Sequence, residues 1–209
     1  MSDFVTMQRR ILREIDREGE SSITAVVQDA IRTAISFYAG QRFWFNEQRW
    51  TASTSTSIEY YSLPQNYRNI DTLKITVNSN RYVLHRRTWH ELEEIAQSAQ
   101  TYSGYPTDYA IQRNELRLYP IPNNQFTLEL AGQADLTELS SDAATNAWMV
   151  HGEEMIRSRA IVDLLETYLR DYDRPRIEIY IRRERENFIR LKSESTDRIL
   201  TGRVRRSMW

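Results

Sequence analysis

No cysteine occurs in the 209 residues, which excludes disulfides, thiolate nucleophiles and thiolate metal sites. Glycine is scarce, six in all, and none stands in the G-x-x-x-x-G-K pattern, so no phosphate-cradling loop is expected. Histidine is limited to His85, His90 and His151, far apart in sequence. Lysine is rarer still: of 28 basic residues only Lys74 and Lys192 are lysines, and the rest are arginines. The planar guanidinium fork suits oriented, paired contacts better than solvated bulk charge. No apolar run approaches the roughly 18–20 residues of a membrane span, and the N-terminus lacks the pattern of a secretory signal. A soluble protein assembled in a reducing cytoplasm is the expectation.

What is present is a foldable chain with an uneven charge. At 40% hydrophobic and 11% aromatic it can bury a core. The net charge of −1 divides sharply: from Arg174 onward eleven basic residues face five acidic ones, leaving the remainder at −7. The C-terminal end is the basic end.

Along the chain, hydrophobic periodicity predicts helices at both flanks and short strands between them. Phe4, Ile11, Leu12 and Ile15 predict a helix over 4–18, stopped by Gly19. Ile23, Val26, Val27, Ala30, Ile31, Ala34, Ile35 and Tyr38 give the next helix one broad apolar face, with Ser21 or Ser22 as cap. Phe43-Trp44-Phe45 and Trp50 form an aromatic knot, read as the seam between helical and β parts. Strands are expected over 58–61, 70–77 and 82–84, with Asn78-Ser79-Asn80 as a hairpin turn. Thr88 and Glu91 make a capping box for a helix over 89–99. Further antiparallel strands follow at 109–111, 115–119 and 126–130, suggesting a small sandwich or barrel. Helix resumes over 152–171, its stripe running from Met155 to Tyr168. A last helix spans 175–194, with Ile177, Ile181, Phe188 and Leu191 inside a field of arginine and glutamate. The fold class is therefore α+β: a helical bundle from N- and C-terminal helices, an inserted antiparallel β domain and an extended C-terminal arm. The domains run 1–49, 50–138, 139–197 and 198–209.

Catalytic constellations are not expected. His90 has no second ligand one turn away, the neighbours Glu93 and Glu94 point to different sides, and the Ser/Thr run over 51–57 has no arguable His and Asp partners. No catalytic, cofactor or metal site is assigned. The tail is different: Ile199, Leu200, Arg203, Val204, Arg205, Arg206, Met208 and Trp209 mix arginine with aliphatic and aromatic groups, and Arg198 through Trp209 contain no acid. Trp and Arg are the usual interface anchors, so these residues are the candidate partner-binding set. Contact with nucleic-acid phosphates and folding back on the parent domain are the competing readings. Twelve extended residues reach up to about 40 Å.

Phe37-Tyr38, Phe43-Trp44-Phe45, Tyr61-Ser62-Leu63-Pro64, Gly104-Tyr105-Pro106, Tyr109-Ala110-Ile111 and Leu116-Arg117-Leu118-Tyr119-Pro120-Ile121-Pro122 occur in an order that resembles the head-to-tail adaptor proteins of tailed bacteriophages, which are similar to the tail tubular protein A of short-tailed phages. The resemblance spans most of residues 23–170. It implies a non-enzymatic virion protein at the head–tail junction, assembled in the host cytoplasm. Copies of the chain would form a ring, dodecameric in the family, between portal and tail or nozzle protein. Double-stranded DNA would pass through without sequence-specific binding, and no membrane is involved. The family also implies portal engagement by the arm, carried here to Ile199–Trp209. Heterologous contacts that close build such a ring, and an acidic body would let a duplex slide. The rival readings are a tail or baseplate module binding a receptor or glycan through the β domain, and a DNA-binding protein using the basic C-terminus.

Overall fold

Residues 3–98, 102–170 and 174–200 are described by a computed structural model. The chain forms two units: one takes the chain up to Asn46 and again from Leu136, the other is Glu47–Asp135. The class is α+β.

Helix α1 is Phe4–Glu14, opened by Asp3, whose carboxylate accepts from the Thr6 amide at 2.8 Å. Phe4, Met7, Ile11 and Leu12 are its buried stripe. The helix ends four residues before the expected 18, because Asp16 takes a left-handed conformation (φ 59°) that breaks the ladder. Gly19, at φ 86°, lies in the loop beyond. A 3-10 turn, Ser21–Ile23, then leads into α2, Thr24–Ala39. Ser21 and Ser22 thus belong to the turn, and α2 has no side-chain cap. Its buried residues Val27, Ala30, Ile31, Ala34 and Tyr38 recur at spacings of three and four, as one helix face must.

In the second unit, strands β1 (Glu47–Ser53), β2 (Tyr60–Ser62), β3 (Tyr67–Val77), β4 (Asn80–Val83) and β5 (His85–Arg86) precede α3 (Trp89–Ser98). After it come β6 (Ser103–Gly104), β7 (Asp108–Gln112), β8 (Glu115–Tyr119), β9 (Ile121–Pro122) and β10 (Thr127–Ala134). One sheet has the order β1-β10-β3-β4 and a second β2-β8-β7-β5. The first is antiparallel throughout, with Trp50 opposite Leu130 and Leu130 opposite Leu73. The expected all-antiparallel pairing fails at two short places: β5 runs parallel to β7, and β6 parallel to β9. Both places involve two-residue strands, β5 in one and β6 with β9 in the other. Leu73, Ile75, Leu128 and Leu130 from the first sheet share one apolar core with Tyr109, Leu116 and Leu118 from the second, the arrangement of a sandwich. The opposite face of the second sheet is covered by α3, where Leu92 packs on Ala110 and Tyr119.

Helices α4 (Ala147–His151) and α5 (Glu153–Asp163) follow, with Asn146 capping α4 by accepting from the Trp148 and Met149 amides. A π-helical turn, Leu164–Tyr168, continues α5. The wider π turn changes the angular register of the residues that follow, and Tyr168, expected on the apolar stripe, is exposed. Helix α6 is Arg174–Leu200, six residues longer at its C-terminus than expected. α5 packs against α2 and α6. Their core includes Val27, Ile31, Phe43, Trp148, Ile156, Ile161, Tyr180 and Leu191. An ion network reinforces this unit, with Arg157 reaching Glu14 at 3.1 Å and Glu153 at 3.3 Å while Arg10 also pairs with Glu153. The aromatic knot divides between the units: Phe43 and Phe45 pack in the helical core, Trp50 against the sandwich core.

Candidate assembly surfaces

The chemistry of α6 begins with its stripe. Ile177, Tyr180, Glu184 and Leu191 are buried, whereas Ile181, expected inward, is 45% exposed. Glu184 lies seven residues from both Ile177 and Leu191, so two helical turns place it on their face; that spacing was the available signal, masked by the surrounding charge. A buried carboxylate needs partners, and α2 and α5 provide them. The Tyr38 hydroxyl donates to Glu184 Oε1, and Arg159 Nη1 stands 3.6 Å from the same oxygen. Burial, then the hydrogen bond to Glu184 and the charge of that carboxylate, push the Tyr38 hydroxyl well above its usual range, so it stays a donor at every ordinary pH. Arg159 lies 4.2 Å over the ring of Phe37, which is itself 58% exposed.

These groups floor a cleft of about 370 Å³ lined by Phe37, Ile181 and Phe188, with Arg159 and Arg185 also in its wall. A second, of about 410 Å³, shares Ile181 and is lined by Ile177, Glu166, Arg174 and Glu178. An exposed apolar strip edged by arginine and glutamate has the character of a contact surface.

The far end of α6 is fastened differently. Ser195 is buried; its hydroxyl donates to Leu191 O at 2.6 Å and accepts from the Trp44 amide at 3.2 Å. Arg198 lies 3.8 Å over the Trp44 ring. On the same indole, His151 sits with ring centroids 4.4 Å apart, and it also stacks on Phe45 at 5.6 Å. Burial, helped by the Arg198 charge, lowers the His151 pKa below the ordinary imidazole value, with Glu194 opposing. Lys192 is held lower by burial too: its ammonium stands 4.8 Å from the Phe43 ring and donates to Arg42 O at 3.1 Å.

Of the candidate partner-binding residues, Ile199 and Leu200 fall in the last turn of α6, so the chain is helical where the extended arm was expected to begin. Arg203, Val204, Arg205, Arg206, Met208 and Trp209 lie outside the described residues. The residues brought together instead, Phe37, Arg159, Ile181 and Glu184 in one place and Trp44, His151 and Arg198 in the other, were not singled out as sites. Apart from Ile181 and Glu184, which share α6, the members of each group come from separate elements, so no local spacing brings the groups together. Among the described residues no group of three His, Asp or Glu is placed to hold a metal. Of the other histidines, His90 approaches Glu94 at 3.4 Å and His85 is exposed on β5. No described helix is long and apolar enough to cross a membrane.

Clefts floored by apolar groups, edged by arginine and shared between helices, define a protein equipped to work by contact. The chain belongs to the SU10 adaptor protein family, whose sequence model matches residues 2–207. That makes it a phage structural adaptor, a virion component, in agreement with the resemblance carried by its aromatic and proline-marked motifs. No curated protein is significantly similar to it.

Proposed function

We propose that the protein forms a ring at the head–tail junction, bridging portal and tail, with the DNA path through its centre and no enzymatic role. The observation that carries this reading is the family match over residues 2–207. The helical unit, taken as a bundle, supplies the walls of the ring, and its clefts around Phe37 and Ile181 are available to neighbours. The segment Ile199–Trp209 engages the portal, with Trp209 and the arginines Arg203, Arg205 and Arg206 as anchors. The −7 balance of residues 1–173 suits a body past which duplex slides rather than sticks.

The test is to mix the purified chain with its portal and examine the product by native mass spectrometry and electron microscopy. A ring of adaptor copies on the portal is expected; persistent failure of the two to associate overturns the reading. Deleting residues 201–209 removes attachment while leaving the helices folded. Trp209→Ala weakens attachment by about 2 kcal/mol or more, roughly thirtyfold in Kd, as a buried aromatic anchor should.

A further inference from the structure

The C-terminal end of α6 is held by contacts to the 3-10 turn Trp44–Asn46, on which His151 of α4 also packs. Trp44, on the 3-10 turn Trp44–Asn46, carries two nitrogenous groups on its ring system: the Arg198 guanidinium at 3.8 Å and the His151 imidazole at 4.4 Å. The Trp44 backbone amide donates to Ser195, one turn before Arg198. Indole holds a guanidinium through the negative face of its π system. Neutral imidazole can share that platform; imidazolium adds a second positive charge in a partly desolvated place. The charges bearing on His151 both come from α6, Arg198 disfavouring its protonation and Glu194 favouring it, while Trp44 and Phe45 present rings.

We propose that Trp44, His151 and Arg198 form a proton-sensitive latch, which fixes the last turn of α6 while His151 is neutral and loosens it when His151 is protonated. The direction follows from like-charge repulsion between imidazolium and guanidinium and from the few backbone bonds a final helical turn has to lose. The latch rests on the reading of Ile199–Trp209 as the portal-docking segment in one respect only: it then sets the point from which that segment departs. With His151 neutral, as its lowered pKa makes it at neutral pH, the departure point is fixed and docking begins from an ordered helix end.

The test uses the full chain, following amide hydrogen exchange at residues 195–198 and the His151 ring signals by NMR from about pH 8 to about pH 5. After correction for intrinsic exchange chemistry, protection of 195–198 falls at least about tenfold on acidification, with its midpoint at the measured His151 pKa. In Arg198→Gln the His151 pKa rises and the acid-dependent step shrinks; in His151→Phe the step disappears. A flat protection profile in the natural chain overturns the latch, as does the same step persisting in His151→Phe. Should that variant fail to fold, the Arg198→Gln titration decides alone: an unchanged His151 pKa refutes the coupling. The docking reading is scored separately by portal attachment of the chain lacking 201–209. Unchanged attachment beside a normal acid step leaves the latch standing and removes the docking role.

Discussion

Arg117 sits on β8 with 4% of its surface exposed, and its guanidinium is enclosed by chemistry from three directions. Glu59 and Glu93 pair with it, and the rings of Tyr60 and Trp89 each lie 5.6 Å from it and 6.0 Å from one another. Burial works against its charge, but the two carboxylates outweigh burial and raise its pKa above the usual guanidinium value. Removing one member of such a cluster leaves the others unpaired, which costs more than the cluster contributes when whole. Arg117→Met should therefore destabilise the β unit by about 3 kcal/mol in urea unfolding, toward the low end for a buried pair because Glu93 is half-exposed. Adding Glu59→Gln to that variant should recover part of the loss. The sign of the pH response also follows. Hydrogen bonding to Arg117 is the main cause holding the Glu93 pKa below 4.5. The stabilisation is complete above that unfolded value and disappears as the pH falls through the lowered folded one. Acid unfolding curves of Arg117→Met should lack this component; identical acid sensitivity in both proteins would show that the cluster does not fasten α3 to the sheet.

At the scale of elements, the backbone decides what substitution can do. Gly132 lies on β10 at a shift in register against β3, and a Cβ there would stand 1.9 Å from the Asn69 carbonyl oxygen. Backbone cannot yield as a side-chain tip can, so Gly132→Ala should cost about 3 kcal/mol or more and disturb the β10–β3 pairing, visible as lost amide protection in both strands. Thr88→Ala removes the capping box in which Thr88 N donates to Glu91 at 2.8 Å and Glu91 N to Thr88 Oγ1 at 3.2 Å. Loss of about 1 kcal/mol and fraying of α3 are expected by circular dichroism and denaturation. The cap, the stripe of α2, the alternation of Leu73 and Ile75 on β3 and the turn at Asn78 and Ser79 (φ 48° and 67°) were all legible in the sequence, because each is a local pattern. β1 was not: Glu47–Ser53 is an edge strand whose only partly buried residue is Trp50, so it carries no alternation to read. The end of α6 was hidden for the opposite reason. Ser193 to Asp197 has weak helix propensity, yet the burial of Ser195 and the stack on Trp44 keep it helical. The contact surfaces were the least legible, since Phe37, Arg159 and Glu184 meet only after three helices pack.

For the whole molecule, the question is which unit carries the proposed attachment to the portal. The unit Glu47–Asp135 is continuous in sequence, and its first and last strands are neighbours, with Glu47 opposite Gln133. Its sandwich core and the cluster beneath α3 are built from its own residues. A segment whose ends already meet pays little loop-closure entropy when it is cut out, so the excised unit should fold with a single cooperative urea transition. For the same reason, bridging Asn46 to Leu136 with a short Gly/Ser linker should leave the helical unit folded, with the pairs Arg157–Glu14 and Arg159–Glu184 intact. If attachment lies in the chain beyond α6, the linked helical protein binds portal and the excised β unit does not. The reverse result, portal bound by the β unit while the helical protein stays in solution, would move the docking role from the basic end of the chain to the sandwich. The clefts around Phe37 and Ile181 would remain the proposed surfaces for contacts between copies, and charge reversal at Arg185, on the wall of the first cleft, would test that proposal: it should reduce association of copies without changing the β unit's stability.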